Sequence, residues 1–385
     1  MTTHVFIVDE RTFKVHLEYM FVGTGSGEKK VDFNNNKESE LHFTQENGLV
    51  SMMSDFSRVR IDDYVIFYVQ ASNGKEGKFF GVYQISSKPF YEDGSDEETN
   101  KQYLKCELAK NLTFRALIKP YKVYAYGVTE WEALDEIKNI NSPSQMLWSL
   151  IYRKLKGNRG NTMITIYESE RLFNLISIKN NNNVIPQQGS YTYKDGKVEA
   201  SLEQQKSYNG NINEYFNILP RLKHKKDKGQ AYESHLQMYI MQNIDSNKSL
   251  NDALSINNNK IEWIGNEVSC GVGMQRIDVM LSVYVDDTER HIVPIELKAM
   301  PVSSNNTYQI SRYVDWIEQY YVPNRPSTIR PVLICPKTGY ELTEEIIRSF
   351  EEFNDKLTGR CLPLEYIEFE VKEDKLSFEN IKYIK

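Results

Sequence analysis

The pattern of apolar and polar positions divides the chain into a strand-rich first half and a second half that alternates helix and strand. In the first half, apolar and aromatic runs are bounded by Gly, Pro, Asp and Asn, which is typical of strands. These strands are predicted at residues 4–10, 62–70, 77–91 and 112–131. Helices are predicted at 143–156, where Pro143 suits the first turn, and at 165–176. The first half is therefore expected to form a β-rich α+β domain.

The second half predicts an ordered series of elements: a helix, three antiparallel strands, then helix, strand, helix and strand. The helices have apolar residues at helical spacing, and the strands are short apolar runs. The predicted helices cover 231–244, 307–321 and 342–357, and the predicted strands cover 260–270, a hairpin within 276–298, 329–335 and 364–371. This order indicates an α/β domain that is separate from the first half.

A polar segment lies between the halves. It begins at Asn180–Asn183 and runs to about Asn211, with low apolar content and no clear period. Such a segment is typical of a linker. We therefore expect a first domain at 1–178, a linker at 179–212 and a second domain at 213–385.

Composition narrows the class of protein. A chain of 385 residues is long enough for two or three domains. No apolar run reaches the roughly 18 residues that a membrane helix needs, and the N-terminus has no secretory pattern. The cysteines have no paired spacing and fit free thiols in a reducing compartment, so a cytoplasmic location is expected; they are Cys106, Cys270, Cys335 and Cys361.

The chain has 47 Lys and Arg against 53 Asp and Glu, a net charge of −6. Net charge bears on solubility more than on a local binding surface, so clustering of basic residues matters more. Two stretches, 151–160 and 221–228, are basic and could contact phosphates. The alternative is a pair of ordinary solvated surfaces. The predicted DNA-contacting residues are Arg153, Lys154, Lys156, Arg159, Lys223, Lys225 and Lys226.

The predicted hairpin within 276–300 carries the strongest chemical signal. Asp278 lies in its first strand between apolar neighbours, and Glu296 and Lys298 flank Leu297 in the second. Side chains alternate along a strand, so Glu296 and Lys298 share one face. Apolar neighbours force Asp278 into a buried setting, where an unpaired carboxylate is costly.

Two facing carboxylates repel each other unless a cation lies between them. Mg²⁺ prefers oxygen ligands and commonly takes one or two carboxylates from a protein. A metal bound in this way activates water and neutralises charge during phosphodiester hydrolysis. The hairpin therefore predicts a metal-dependent nuclease site, with Mg²⁺ or Mn²⁺ as cofactor; the alternative is a surface hairpin with solvated charges.

The flanking residues extend this pattern into a resemblance. A helix of the form Glu-x-x-Leu-Gln-x-Tyr-Ile-x-x-Asn starts at Glu233. It is followed by Arg-Ile-Asp-Val-Met, Ile-Glu-Leu-Lys and Gln-x-x-x-Tyr, the last from Gln309 to Tyr313. Over about 213–340 the chain resembles the PD-(D/E)XK nuclease superfamily, and within it the catalytic domain of NucS-type endonucleases. Ile277 stands where the name-giving motif has proline.

The resemblance implies a restriction-endonuclease-like fold and a role for each matching residue. Asp278 and Glu296 would be metal ligands, with the Leu297 carbonyl as a third. Lys298 would orient the attacking water. Supporting roles would fall to Glu233, as a further metal contact, and to Gln309 and Tyr313, although each could instead be an ordinary helix residue.

The first half carries a second resemblance. Asp-Asp-Tyr-Val-Ile-Phe-Tyr-Val, from Asp62, followed by Gly-Lys-Phe-Phe-Gly-Val-Tyr-Gln-Ile, resembles the PUA-like superfamily, and its EVE and YTH branches in particular, over about 1–130. This implies a small β-barrel that reads a modified base in an aromatic pocket. Stacking on a flipped base needs aromatic surfaces; candidates are Tyr83, Trp131 and Trp148. The alternative is that these side chains belong to the core.

These expectations combine into one hypothesis and two alternatives. The chain is expected to be a Mg²⁺-dependent DNA endonuclease of restriction or defence type that acts on double-stranded DNA, with the first half supplying specificity. Cutting both strands favours a homodimer. A repair endonuclease acting on mismatched or branched DNA is one alternative. A catalytically silent DNA-binding protein is the other, and the intact Asp278, Glu296 and Lys298 set argues against it.

Overall fold

The computed structural model describes residues 1–25, 43–72, 74–92, 102–135, 160–186, 190–213, 217–257, 260–270, 275–322 and 326–383. The chain forms two compact units, each built from two stretches of sequence. Unit 1 comprises Met1–Val31 and Val59–Phe216, and unit 2 comprises Asp32–Arg58 and Asn217–Lys385. The helix predicted at 143–156 lies outside the described residues, together with Trp148, Arg153, Lys154, Lys156 and Arg159.

Unit 1 contains a mixed sheet in the strand-rich region. Its strands run in the order β2-β6-β4-β3-β1-β8, with β5 paired to β6 and β7 to β4. β1 and β3 are parallel, and the other neighbours are antiparallel. The strands are β1 (Thr3–Val8), β2 (Phe21–Thr24), β3 (Tyr64–Val69), β4 (Lys78–Ile85), β5 (Phe90–Tyr91), β6 (Phe114–Pro120), β7 (Val128–Thr129) and β8 (Asn161–Ile164). The apolar runs predicted as strands are thus strands in the structure.

The helices of unit 1 include α1 (Glu10–Tyr19), α3 (Lys105–Leu108), α4 (Glu130–Asp135) and α5 (Ile166–Lys179). The Thr165 hydroxyl accepts a hydrogen bond from the Glu168 backbone N–H, and the Glu168 carboxylate accepts one from the Thr165 backbone N–H, so α5 begins with a capping box. Phe13 of α1 packs against Phe67 and Phe80, with ring centroids 5.0 and 5.3 Å apart. Aromatic contacts therefore supply much of the core of this unit.

The segment expected to be a linker, 179–212, has structure of its own. It contains a hairpin formed by β9 (Ser190–Lys194) and β10 (Lys197–Ser201). Val198 N–H donates to the Ala125 carbonyl at 2.9 Å, and the Tyr193 ring lies 5.1 Å from that of Phe13. The segment is therefore packed into unit 1, because one face of a polar hairpin can still bury its tyrosines.

Unit 2 is built on a second mixed sheet, in the order β11-β12-β13-β15-β16-β17 with β14 beside β13. β11, β12 and β13 are antiparallel, whereas β13, β15 and β16 run parallel and β17 returns antiparallel. The strands are β11 (Lys260–Ser269), β12 (Arg276–Tyr284), β13 (Arg290–Leu297), β14 (Thr328–Ile329), β15 (Val332–Pro336), β16 (Glu365–Val371) and β17 (Leu376–Ile381).

The helices of unit 2 complete the predicted order of elements. They are α2 (Phe43–Ser57), α6 (Leu219–Asp227), α7 (Glu233–Asn243), α8 (Lys248–Ala253), α9 (Asn306–Tyr320) and α10 (Glu344–Lys356). The expected sequence of helix, three antiparallel strands, helix, strand, helix and strand is confirmed by α7, β11 to β13, α9, β15, α10 and β16. None of the helices in the described ranges combines the length and apolar composition of a membrane span.

Helix α2 comes from the first half of the sequence but belongs to unit 2, where it packs on α7. Residues 235–241 of α7 are buried without a break. The sequence predicts an amphipathic helix at 231–244. That expectation is wrong, because α2 covers the face that would otherwise meet water.

A buried ion network joins α2 to α6 and α7. Glu46 Oε1 and Oε2 accept from Arg221 Nε and Nη2, each at 2.8 Å, and Lys225 Nζ lies 3.4 Å from Oε2. His235 Nε2 lies 2.9 Å from Glu46 Oε1. Burial would raise the pKa of Glu46, but the hydrogen bonds from Arg221 and His235 outweigh it and hold this pKa far below its usual value. The helix is thus attached by charge as well as by apolar packing.

A second polar contact attaches the end of α2 to the sheet. Arg58, which is 1% exposed, donates to Asp55 Oδ1 at 2.8 Å and also to Asn266 of β11. Asn266 Nδ2 donates to the same Asp55 oxygen at 2.9 Å. Residues 43–58 are therefore an integral part of unit 2, which differs from the expected division at 178 and 213.

Candidate active site

The candidate site lies where β12 and β13 separate. Their antiparallel ladder ends at the pair Val279 and Ile295. Asp278 and Glu296 are the adjacent residues just beyond this last pair. Beyond that point β13 continues to pair with β15. The Leu297 N–H donates instead to Asp278 Oδ2 at 2.8 Å, so a carboxylate takes the place of a ladder acceptor. The two predicted metal ligands therefore lie at the position where the ladder between β12 and β13 ends.

Glu296 is held on both of its oxygens. Lys298 Nζ donates to Oε1, which confirms that the two side chains share a face of β13. The Tyr313 hydroxyl lies 2.7 Å from Oε2 and 2.8 Å from the Arg276 carbonyl, so its single proton has two acceptors. Glu296 is only 1% exposed, so these contacts fix the direction of its carboxylate.

The Gln309 and Tyr313 pair meets the same cluster. Gln309 Nε2 donates to the Tyr313 oxygen at 2.6 Å, and its Oε1 accepts from Lys298 Nζ at 3.4 Å. The two residues are one turn apart on α9 and face the sheet, as residues four apart do. The structure therefore brings both beside Glu296 and Lys298, and their supporting role remains a prediction.

Glu233, at the first position of α7, also reaches the site. Its carboxylate accepts a hydrogen bond from the Ala299 backbone, one residue beyond Lys298. Although Glu233 is exposed to solvent, the protein around its carboxylate raises its pKa, and Lys298 opposes this only in part. The Glu233 carboxylate is thus close enough for the charges of Lys298 and Glu296 to shift its pKa.

Gln237 belongs to the helix motif that starts at Glu233, but the sequence pattern assigned it no role in the site. It is one turn after Glu233 and is 4% exposed. Its Nε2 donates to the Asp278 carbonyl at 2.9 Å and lies 3.2 Å from Glu267 Oε1. Glu267 in turn pairs with Arg276 at 2.7 Å. A polar residue inside an otherwise apolar helix was the available signal, since a buried amide needs partners.

The electrostatics of the cluster are dominated by negative charge. Desolvation, followed by repulsion from Glu296, holds the pKa of Asp278 well above its usual value. Burial would lower the pKa of Lys298, but Glu296 and Glu233 outweigh it and the net shift is upward. Burial and the charge of Glu296 also raise the pKa of Tyr313, so its hydroxyl stays protonated. Three carboxylates thus share one ammonium, and a further cation would relieve their repulsion.

The donor set fits a hard divalent cation that keeps water ligands. Within the described part of the chain, no group of three or more His, Cys, Asp and Glu side chains is gathered closely enough to hold a metal ion by itself. Mg²⁺ does not need such a group, because it commonly takes one or two carboxylates and retains several waters. Asp278 and Glu296 supply the carboxylates, and the Leu297 backbone lies beside Asp278, to which its N–H donates.

The second basic stretch divides between surface and interior. Lys226 is exposed and Lys223 is half-buried on α6. Lys225, predicted to contact DNA, is 1% exposed and lies against Glu46. That expectation therefore needs correction: helical spacing turns Lys225 towards α2, which leaves its ammonium unavailable to a phosphate.

The aromatic candidates of unit 1 also differ in their exposure to solvent. Tyr83 is fully buried in the core, with its ring 5.5 Å from that of Phe67, so it presents no stacking surface. Trp131 is 57% exposed and borders a groove of about 490 Å³ beside the turn between β3 and β4. Lys75 and Glu130 line the same groove. Of the two candidates that the structure describes, Trp131 is therefore the one whose ring is accessible to a ligand.

Comparison with known proteins gives partial structural likeness. No protein-family model and no curated protein matches the chain. A hypothetical protein from Leishmania major is 11% identical, with 46% of this chain and 96% of that chain covered and a TM-score of 0.29. The human THYN1 protein in complex with 5-methylcytosine-containing DNA is 12% identical, with 46% and 96% covered and a TM-score of 0.26.

The restriction endonuclease FokI is 11% identical, with 60% of this chain and 40% of that chain covered and a TM-score of 0.21. Likeness at these scores is too slight to establish a relationship. The function of the chain is therefore inferred from the residues of its own site.

Proposed function

We propose that the protein is a Mg²⁺-dependent DNA endonuclease whose catalytic unit is unit 2. The observation that carries this proposal is the convergence of Asp278, Glu296 and Lys298 where β12 and β13 separate, with Glu233 beside them. The element order supports a restriction-endonuclease-like, PD-(D/E)XK-type fold for this unit. Phosphodiester hydrolysis is the reaction that such a pair of carboxylates and a lysine can serve.

Each residue of the chain has a definable part in this reaction. Asp278 and Glu296 would hold Mg²⁺, with the Leu297 carbonyl as a third ligand. The bound ion would lower the pKa of a water molecule and neutralise charge on the phosphate. Lys298 would orient that water and stabilise the developing charge. Glu296 is kept in position by the Tyr313 hydroxyl, which is itself positioned by Gln309.

Unit 1 is proposed to bind the DNA and supply specificity, as a PUA-like module. The exposed indole of Trp131, beside its groove, supports base stacking there. A modified cytosine is one base that such a module could read. Hydrolysis of both strands needs two sites or two binding events, which favours a homodimer.

A repair endonuclease of the NucS type is the second candidate. The observation that favours it is the catalytic arrangement itself, where Glu233 begins the helix that carries Gln237 and the Gln309 and Tyr313 pair supports Glu296. Mismatched or branched substrates would then be cut in preference to intact duplex. A silent DNA-binding protein would have no need for the charge repulsion around Asp278.

Parallel digestion of unmodified and cytosine-modified duplexes, with Mg²⁺ and with EDTA, tests the proposal. Mismatched and branched duplexes of the same sequence form a third arm. We expect wild type to cut with Mg²⁺ only, and Asp278→Ala, Glu296→Ala and Lys298→Ala to lose cleavage while they still bind DNA. Wild-type rates in any two of these variants would show that the site is assigned wrongly.

A further inference from the structure

An exposed tyrosine and an arginine lie one residue away from the catalytic cluster on α9. Tyr308 is 66% exposed and directly precedes Gln309, whose amide contacts both Lys298 and Tyr313. The Arg312 guanidinium carbon lies 5.1 Å from the centre of the Tyr308 ring. Since the two residues are four apart, they form one surface of the helix, next to the surface that carries Gln309 and Tyr313.

The Arg312 guanidinium is incompletely satisfied within the part of the chain that the structure describes. Arg312 forms no ion pair with any residue that the structure describes, and its Nε is buried without a hydrogen-bond partner. By contrast, Arg360 of the same unit pairs with Asp315 and Glu318. A buried guanidinium nitrogen without a partner is costly, so a bound acceptor would stabilise it.

Met300 is a further exposed side chain close in sequence to the site. It is 70% exposed and lies two residues after Lys298, in the loop that leads to α9. An apolar side chain, an aromatic ring and a guanidinium thus closely follow or precede residues of the site in the sequence. An aromatic face can stack on a base, and a guanidinium can bind a phosphate.

We propose that Tyr308 and Arg312 bind an unpaired nucleotide next to the scissile phosphate, with the ring stacked on its base and the guanidinium on its phosphate. This rests on the proposed nuclease function and adds a substrate class to it: DNA with an unpaired or displaced nucleotide at the position of cleavage. In an intact duplex the faces of the bases are covered by their neighbours, so the ring has no base to stack on until one is displaced.

Binding measurements separate this proposal from the question of catalysis. All proteins are full-length and carry Asp278→Asn, so no substrate is consumed. The probes are a fluorescein-labelled single-stranded oligodeoxynucleotide and the blunt duplex of the same sequence, and the readout is fluorescence anisotropy. The variants are Tyr308→Ala, Tyr308→Phe and Arg312→Gln. Tyr320→Ala, at the far end of the same helix and 38% exposed, is the matched control.

Tyr308→Ala is expected to weaken single-strand binding about fivefold or more, since stacking on one base contributes at least that much. Tyr308→Phe should retain wild-type affinity, because the ring remains. Arg312→Gln should lower the slope of log affinity against log salt by about 0.7 on single strands, as expected for one phosphate contact. Duplex binding should respond less to Tyr308→Ala, and Tyr320→Ala should bind as the parent does.

Cleavage assays complete the design, and they use proteins that keep the wild-type Asp278. Tyr308→Ala should raise KM on a flapped or mismatched duplex and leave kcat largely unchanged. Unaltered single-strand affinity together with unaltered KM would overturn the surface assignment, even if the protein cuts DNA. Failure of the parent protein to bind either probe would overturn it too. If Tyr308→Ala weakens binding but the wild-type protein does not cleave DNA, the nucleotide-binding surface is supported and the proposed nuclease function is refuted.

Discussion

Glu46 and Arg221 are separated by 175 positions in the chain, yet they form a buried two-pronged ion pair with both N···O distances at 2.8 Å. Glu46 is 2% exposed and Arg221 6%. A carboxylate from the first half of the sequence therefore neutralises the interior of the unit that carries the candidate active site. This single relationship changes what can be expected of the two halves when they are separated.

A fragment made by cutting in the supposed linker should not fold properly. Residues 213–385 lack α2, so Arg221, Lys225 and His235 would be left without Glu46 and one face of α7 would meet water. In the full chain, Glu46→Ala should cost about 3–5 kcal/mol of stability, since it removes the carboxylate that pairs with the buried Arg221 and Lys225. Urea unfolding followed by circular dichroism measures both effects.

The control for this prediction is Glu351→Ala, at an exposed position on α10. A surface change of this kind should stay within about 0.5 kcal/mol of wild type. A cooperative unfolding transition in the 213–385 fragment, with a midpoint like that of the full chain, would show that α2 is dispensable.

The same carboxylate predicts a dependence of stability on pH. The pKa of Glu46 in the folded chain is far below its usual value of 4.5. Its contribution is therefore fully present above that usual value and is lost as the pH falls through the folded pKa. The stability difference between wild type and Glu46→Gln should be constant from neutral pH to about pH 6 and shrink below 4.5. A difference that grows on acidification would contradict the assignment.

Neutralising Asp278 should stabilise the metal-free protein. Desolvation and repulsion from Glu296 disfavour its charge, as its raised pKa indicates. Asp278→Asn removes that charge, and each 1 kcal/mol gained should raise Tm by about 2–4 °C. Thermal unfolding with EDTA and with Mg²⁺ provides the measurement. Mg²⁺ should stabilise wild type but not Asp278→Asn; equal responses would place the metal elsewhere.

The Tyr313 hydroxyl should tune the metal site without serving as a ligand. Tyr313→Phe removes its hydrogen bond to Glu296 and leaves the ring in place. Partners of metal ligands typically contribute about 10–100-fold to metal affinity or activity, so the Mg²⁺ concentration for half-maximal cleavage should rise within that range. Tyr320→Phe, on the same helix, is the control and should match wild type. An unchanged Mg²⁺ requirement in Tyr313→Phe would make this contact purely structural.

The basic residues of α6 should differ in the property they affect. Lys223→Gln with Lys226→Gln should weaken DNA binding and reduce its salt dependence, because each phosphate contact releases counterions. Lys225→Gln should lower stability instead, since Lys225 is buried beside Glu46.

The four cations Arg153, Lys154, Lys156 and Arg159 remain predicted phosphate contacts, testable by the same salt titration. Salt slopes that match wild type would identify either group as a solvated surface.

Local pattern was enough to predict much of unit 2. The alternation of Glu296, Leu297 and Lys298 already indicated which side chains share a face, because a strand repeats every two residues. The spacing of Gln309 and Tyr313 likewise predicted one face of a helix. Apolar runs located the strands of both units, and the order of elements around the hairpin followed from short connections between neighbours in sequence.

Other features were decided only by the tertiary structure. The separation of β12 from β13, the place of Gln237 beneath Asp278 and the burial of Lys225 depend on partners far away in the chain. Helix α2 is the clearest case, since nothing within residues 43–57 specifies that they pack on α7. Periodicity reports which face of a segment is apolar but not which distant segment covers it. Pairing of that kind depends on the complete fold, where a buried carboxylate such as Glu46 is stable only beside partners such as Arg221, Lys225 and His235.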